Sequence, residues 1–267
     1  MKTLAVIIPT IEPDNYLERC LASLDQQTLD KELYRVYVIL NGRKTPFLSD
    51  ISTLLKTSRF DSVLLYSEIP GVSRARNLAL DTFSENFVVF IDDDDYVTPT
   101  YLQELLALGT SDVMGISNIV NWEDSSRSFN PNYIGQTFMT IRDGEQSKYR
   151  TRKYFSSPCA KILSREMIGA LRFNVTLDIG EDALFMALIS NNIRAIAKTT
   201  LDAKYVVNVR PNSSSRRRRG KSYEFKRTII TMVAYGRLFL EPSYEKLFIA
   251  SRLVAALKTL FIRLFST

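Results

Sequence analysis

"FVVFIDDDDYVTP", residues 87–99, is the stretch that decides the fold class. Phe87 to Ile91 form an apolar run short enough for a strand buried on both faces, and four carboxylates, Asp92 to Asp95, follow without a break. Neighbouring carboxylates raise one another's cost of ionising. Their place at the end of a buried strand therefore calls for a cation or a set of hydrogen-bond donors. Side chains alternate along an extended segment, so Asp92 and Asp94 are expected on one side and Asp93 and Asp95 on the other. Ligands that are all oxygen favour hard cations, Mg2+ or Mn2+, which are commonly held by one or two carboxylates together with substrate phosphates and water. The alternative is a polar turn in which Asp95 caps a helix beginning near Pro99.

Working outward, short β-branched runs alternate with helical patterns. "LAVIIP" (4–9), "VYVIL" (36–40) and "SVLLY" (62–66) read as strands, while "NYLERCLASLDQQ" (15–27), "FLSDISTLLKT" (47–57) and "RARNLALDTF" (74–83) read as helices between them. "TYLQELLAL" (100–108) predicts a further helix and "DVMGISNIV" (112–120) a further strand. This alternation predicts an α/β fold with a mostly parallel central sheet and flanking helices. Ligands of such sheets bind beyond the carboxyl ends of the strands, so the residues just after Ile8, Leu40 and Ile91 are expected to share one crevice. The polar, irregular stretch from Asn121 to Tyr154 reads as a mobile loop region, and order returns at "CAKILSREMIGALRF" (159–173). Residues 1–205 are expected to form the main domain, in two parts at about 1–118 and 119–205. Residues 206–267 then supply a basic loop and a C-terminal helical extension.

Composition narrows the chemistry. The 267 residues include no histidine, which excludes a Ser-His-Asp or Cys-His site and a His-ligated zinc built from this chain. Thirty-five Lys and Arg against 29 Asp and Glu leave a net charge of +6, suited to an anionic partner. Cys20 and Cys159 stand far apart and read as reduced thiols, neither of them a nucleophile. The opening "MKTLAVIIPT" is too short and too early broken by Pro9 for a signal peptide, and no apolar run reaches the length of a membrane span. A cytoplasmic protein is expected.

Several segments, in order, resemble the inverting family 2 glycosyltransferases, which have the glycosyltransferase A fold. "LAVIIPTIEPDNYLERCLASLDQQT" looks like the family's opening strand, loop and helix, with Glu12 where Asn is common. "GVSRARNLAL" is similar to its Gly-x-x-x-Ala-Arg-Asn helix start, "FIDDDDYVTPTYLQEL" to its Asp-x-Asp segment, and "CAKILSREMIGALRFNVTLDIGEDALFMALI" to its acceptor segment ending in Glu-Asp. The resemblance implies a nucleotide-sugar donor and a metal on the diphosphate, with Asp94 ligating it and Asp92 serving the metal, directly or through water, or the ribose. It also points to Asp182 as the general base, a choice the residues themselves allow because an apolar helical pattern begins at Ala183. Acids at a helix N-terminus are equally explained by capping and the helix dipole. The dipole weakens a base, so a partly desolvated pocket would have to offset it.

The remaining candidates follow from what sugar transfer needs. Pro9 and Thr10 end the first strand, where backbone groups can meet the base of the nucleotide, and Glu12 can take a ribose hydroxyl. Asn41 stands where the family usually has an acid that accepts a hydrogen bond from uracil; its carbonyl can accept and its NH2 can donate, so UDP is a preference. Arg76 supports the diphosphate or braces the aspartates, with Arg74 as the alternative, and Asp93 is a further donor-side candidate. Glu181, Asp95 and Lys161 are weaker candidates for acceptor contact or support. The basic stretch Arg216 to Arg219 either closes over the diphosphate, meets an anionic membrane, or is a solvated loop. In "YEKLFIASRLVAALKTLFIRLF" (244–265), Ile249, Leu253, Val254, Leu257, Leu260, Phe261 and Leu264 share about half a helical wheel, with Arg252, Lys258 and Arg263 outside that face. That helix packs on the core or on a second copy in a homodimer, or lies on the inner face of the cytoplasmic membrane beside a lipid-linked acceptor. The function expected is sugar transfer to a glycan or lipid-linked acceptor in surface polysaccharide synthesis, against a rival in which the chain is a non-catalytic nucleotide-binding scaffold at a membrane. Nucleic acid is not expected as a partner, because the basic residues lack interleaved aromatics.

Overall fold

A computed structural model describes residues 3–209 and 220–265. The first half is a succession of strands and crossover helices: β1 (Leu4–Thr10), α1 (Asn15–Asp25), β2 (Tyr34–Asn41), α2 (Phe47–Thr57), β3 (Asp61–Ser67), α3 (Val72–Thr82) and β4 (Phe87–Phe90). β1 is buried along its whole length and lies parallel between β2 and β4, with β3 parallel beyond β2. Continuous apolar strands of this kind need a cover on both faces, which the crossover helices supply. At the start of α1 the Asp14 carboxylate accepts from the Tyr16 N–H at 2.8 Å, and the helix buries Leu17, Cys20, Leu21 and Leu24.

The second half adds β5 (Tyr96–Val97), α4 (Tyr101–Ala107), β6 (Val113–Ile116), β7 (Asn118–Glu123), β8 (Ser128–Pro131), β9 (Lys161–Ser164), α5 (Arg165–Ile168), α6 (Glu181–Ile189), β10 (Ala195–Lys198) and β11 (Lys204–Asn208). A seven-stranded sheet runs β10-β6-β9-β4-β1-β2-β3, and β9 is antiparallel to both its neighbours. A second sheet runs β5-β11-β7-β8. The α/β architecture expected from the alternation is therefore present, with one strand of the large sheet reversed, which no periodicity could announce. "DVMGISNIV" is not one strand: it breaks at Ser117, whose N–H donates to the Ala160 carbonyl at 3.0 Å, so β6 joins the large sheet and β7 the small one.

Two expectations are corrected. The stretch from Asn121 to Tyr154 is not a bare loop: it holds the end of β7, the hairpin to β8 and short 3-10 turns at Gly135–Thr137 and Arg152–Ser156. Sparse apolar anchors, Phe138, Ile141 and Tyr154, are buried along it, and the Tyr154 hydroxyl donates to the Ser117 carbonyl at 2.9 Å. Polar composition hid these single anchors because each is flanked by surface residues. The second correction concerns the C-terminal helices, α7 (Lys221–Leu240) and α8 (Lys246–Phe265), which pack on each other. Arg252 does not lie on a solvated polar face: it is buried, its Nη2 donates to the Arg152 carbonyl at 2.6 Å, and Phe248 and Ile249 beside it enter the core. Val254, Leu257 and Phe261 point outward instead. The helix packs on the core through part of its polar side and shows part of its apolar side, because a buried carbonyl accepts the arginine.

Candidate active site

The ends of β1, β2 and β4 meet in one place, as the parallel arrangement requires. The Asn41 side-chain N–H donates to the Thr10 carbonyl at 2.7 Å, and the Thr10 hydroxyl donates to Asp93 Oδ2 at 2.6 Å. Asn41 Oδ1 accepts from the Gly71 N–H at 2.8 Å. Asn41 is buried with its amide nitrogen and oxygen both engaged by the protein, so it ties the end of β1 to the start of α3. The fold uses the residue to hold two loops together. Pro9 lies inside β1 opposite Ile39, and Glu12 is exposed, with Arg43 at 3.5 Å.

The four aspartates do not alternate along a strand. The Asp95 N–H donates to the Asp92 carbonyl at 3.1 Å, which closes a tight turn with Asp93 and Asp94 at its centre. Asp95 turns inward and is buried, where its carboxylate accepts from the Asn208 N–H at 2.8 Å. It does not cap α4. Burial, then the Asp94 and Asp92 charges, push its carboxyl well above the usual range. The Asp92 N–H donates to the Tyr205 hydroxyl at 3.0 Å, so β11 braces the turn from the second sheet. Among the described residues no three acidic or thiol groups converge as a ready-made metal cage.

Arg76 joins the two acidic halves. It enters from α3, is 2% exposed, and its Nη1 lies 2.5 Å from Asp182 Oδ1 while its Nη2 lies 2.9 Å from Asp92 Oδ1. Its guanidinium also sits 5.3 Å from the centre of the Phe173 ring, which in turn stacks on Phe185 of α6 at 3.9 Å. The two carboxylates overcome the burial of the guanidinium and hold its pKa above the ordinary arginine value. Asp182 is raised by burial and by Asp92, against the lowering pull of Arg76 and Lys161. A partly desolvated carboxylate at a helix N-terminus, expected to be needed if Asp182 is to act as a base, is therefore what the site contains.

Glu181, beside it, is buried, one of its carboxylate oxygens has no hydrogen-bond partner, and burial followed by the Asp182 charge pushes its carboxyl up to about 7. Lys161 is also buried; its ammonium donates to the Ser157 and Cys159 carbonyls, each at 2.5 Å, and desolvation brings it down to about 7. It holds the turn that leads into β9. Cys20 and Cys159 are free and buried, and burial raises both thiols, as suits inert cysteines. Arg216 to Arg219 lie outside the described residues. Sequence reading passed over Tyr205 and Phe173. Tyr205 lies in an ordinary apolar strand and Phe173 in a loop, and only the tertiary fold brings their rings to Asp92 and Arg76.

A family model described as glycosyl transferase family 2 matches residues 5–172. The chain belongs to that family. Its members supply both sequence relatives and the same fold. Glycosyltransferase GlyA of Streptococcus pneumoniae serotype 4 is 26% identical over 230 residues, which is 80% of this chain and 31% of that protein. TarS of Staphylococcus aureus, a poly(ribitol-phosphate) beta-N-acetylglucosaminyltransferase, is 27% identical over 107 residues, 40% of this chain and 19% of that one. The chain thus spans less than a third of the length of these two relatives. The crystal structure of TarS 1–349 in complex with UDP-GlcNAc superposes with a TM-score of 0.78 at 20% identity, over 99% of this chain and 76% of that one. The mannosyltransferase PcManGT of Pyrobaculum calidifontis, solved with GDP-Man and Mn2+, gives a TM-score of 0.65 at 14% identity, over 97% and 70% of the two chains. These matches establish the glycosyltransferase A fold, with α7 and α8 as its C-terminal helices.

Proposed function

We propose that the chain transfers a sugar, with inversion, from a nucleotide-diphosphate donor, UDP-linked by preference, to a glycan or lipid-linked acceptor in bacterial surface polysaccharide synthesis. The observation that carries this reading is the Arg76 bridge, which joins Asp92 and Asp182 across one buried cation, so that Asp92 would serve the leaving group and Asp182 the attacking hydroxyl. The names of TarS and its UDP-GlcNAc complex support the donor class and the polymer context.

In this mechanism Asp182 takes the proton of the acceptor hydroxyl. Its Oδ1 is held by Arg76, so its other oxygen is the one placed to act. The acceptor oxygen forms a bond to the anomeric carbon as the bond to the diphosphate oxygen breaks, and the nucleoside diphosphate leaves. One displacement from the opposite face inverts the anomeric centre. Desolvation of Asp182 makes it a stronger base than a solvated aspartate. Glu181 supports it or meets the acceptor.

The residues fit a divalent cation that completes its shell from the donor. Asp94 and Asp92 would hold Mn2+ or Mg2+, and without a third protein carboxylate the rest of the ligands come from phosphate and water, as is usual for magnesium. When bound, such an ion stabilises the charge developing on the diphosphate by several kcal/mol. Thr10 holds Asp93 and Arg76 holds Asp92, the two carboxylates that would flank Asp94 and the ion. Residues 1–205 would form the catalytic part, and the apolar outer side of α8 would rest on a cytoplasmic membrane surface or a second copy.

The decisive experiment compares Asp182→Asn with wild type. Wild type should turn over a nucleotide sugar in the presence of Mn2+. The variant should lose turnover by about three orders of magnitude or more, while donor-induced thermal stabilisation survives. A variant with unchanged turnover removes Asp182 from the base role. A wild type that binds donor but never turns it over leaves the scaffold reading instead.

A further inference from the structure

Asp182 reaches the site from the first turn of α6, which starts after Gly180, a glycine at φ 90°. The segment leading into that turn is gripped by α7. The Asp178 N–H donates to the Tyr223 hydroxyl at 3.2 Å, and the Arg227 guanidinium lies against Gly180, with Nη1 3.7 Å from the place a β-carbon would occupy. Arg227 is fixed in turn by Glu224 of the same helix, whose Oε2 is 3.0 Å from its Nε and 2.9 Å from its Nη2. Arg263 of α8 lies 3.5 Å from the other Glu224 oxygen. Glu224 and Arg227 are both buried. The chain of contacts therefore runs from α8 through Glu224 and Arg227 to the peptide that carries Glu181 and Asp182.

A buried ion cluster is a poor device for stability alone, since apolar residues of similar volume hold two helices as well or better. What it does supply is direction, because Glu224 can engage two arginines only when α7 and α8 sit at one height relative to each other. We propose that Arg227, held by Glu224 and Arg263, is a positioning residue that sets the α6 N-terminus and with it the attack geometry of Asp182. The inference rests on the reading of Asp182 as the base. On this reading the two helices after the second sheet serve the catalytic site by position alone. A misplacement of about 1 Å at a reacting group costs about a hundredfold in rate, so a small tilt of α6 suffices.

Three variants test it: Arg227→Met, Arg227→Lys, and Glu224→Leu combined with Arg227→Met, which replaces the pair by apolar residues and keeps the helices packed should the single change unfold the protein. The expected result is a fall in kcat of about tenfold to a hundredfold in Arg227→Met and in the double variant, with the donor KM within about twofold of wild type, and partial recovery in Arg227→Lys. Hydrogen exchange should rise at the amides of residues 178–184 and stay unchanged in β1 and β4. A folded Arg227→Met or double variant with wild-type kcat overturns the proposal. So does unchanged exchange at residues 178–184, a readout that holds whether or not the chain turns over any donor. Loss of turnover in wild type itself would instead count against the enzyme reading, and the exchange data keep the two failures apart.

Discussion

Replacing Arg76 with Met keeps an unbranched apolar side chain in place of the guanidinium and takes the positive charge away from Asp92 and Asp182. The two carboxylates feel this unequally. Asp182 is 24% exposed and loses a hydrogen bond of 2.5 Å, a charge-assisted contact worth about 1.5–3 kcal/mol. Asp92 is 41% exposed, so solvent takes over most of its charge and the loss there is about 1 kcal/mol or less. Together the variant should lose about 2–4 kcal/mol, a fall in Tm of roughly 5–12 °C for a chain of this size. Arg76 is the leading group that lowers the Asp182 pKa, so without it burial pushes that carboxyl further up. A carboxylate whose folded pKa lies above its unfolded value withdraws stability as pH rises through the folded value. The cost of the substitution should therefore shrink towards about pH 4, near the ordinary carboxylate range, and be full at about pH 8. The acid limb of the transfer profile should move to higher pH for the same reason, since the base is lost when it takes a proton. Urea unfolding at both pH values and a pH–rate profile provide the assay. A stability loss that is the same at both pH values, or an acid limb that stays in place, would refute the Arg76 to Asp182 coupling.

Two further outcomes follow from buried and exposed groups elsewhere. Glu181 holds its proton up to about 7 when folded against an ordinary glutamate value of 4.5, so wild type should give up as much as about 3 kcal/mol between those pH values; Glu181→Gln should flatten that dependence in urea titrations, and an unchanged slope would show that the carboxyl is not buried. Val254, Leu257 and Phe261 are exposed on α8 with Lys258 among them, a face that suits an anionic lipid surface. Wild type should therefore float with phosphatidylserine-containing vesicles at physiological salt and stay off neutral ones, and Phe261→Asp should abolish flotation. Wild type that ignores both vesicle types while its mass rises with concentration would move this face to a second copy.

Much of the fold was legible because its signals are local. "LAVIIP", "VYVIL" and "FVVFI" are continuous apolar runs between amphipathic segments, and only a sheet covered on both faces makes use of that pattern. The ordered motifs around Arg76, Asp92 to Asp94 and Asp182 also placed the chain in its family, since each occupies a strand end or helix start that the alternation already located. Where reasoning along the chain went astray, one hydrogen bond had the decisive say. Alternation suggested that Asp92 and Asp94 pair, yet a hydrogen bond between the Asp95 N–H and the Asp92 carbonyl makes the segment a turn and sends Asp95 to Asn208. That Asn41 joins Thr10 to Gly71 was likewise invisible along the chain.

Arg252 is the clearest case of the difference between the two kinds of information. A helical wheel sets it on a polar face, because the wheel knows only the spacing of charges. Its burial depends on the carbonyl of Arg152, a hundred residues earlier, being free to accept. The order of strands and helices, the absence of histidine chemistry and the acidic end of the fourth strand are properties of neighbours in the chain, and the amino-acid order contains them. The bridge from Asp92 through Arg76 to Asp182 spans α3, the β4 turn and α6, and the Asp178 N–H, which donates to the Tyr223 hydroxyl, joins α7 to the segment before α6. Those contacts arise only when the packed helices bring their ends together, since the side chains that meet have no periodicity relating one to another.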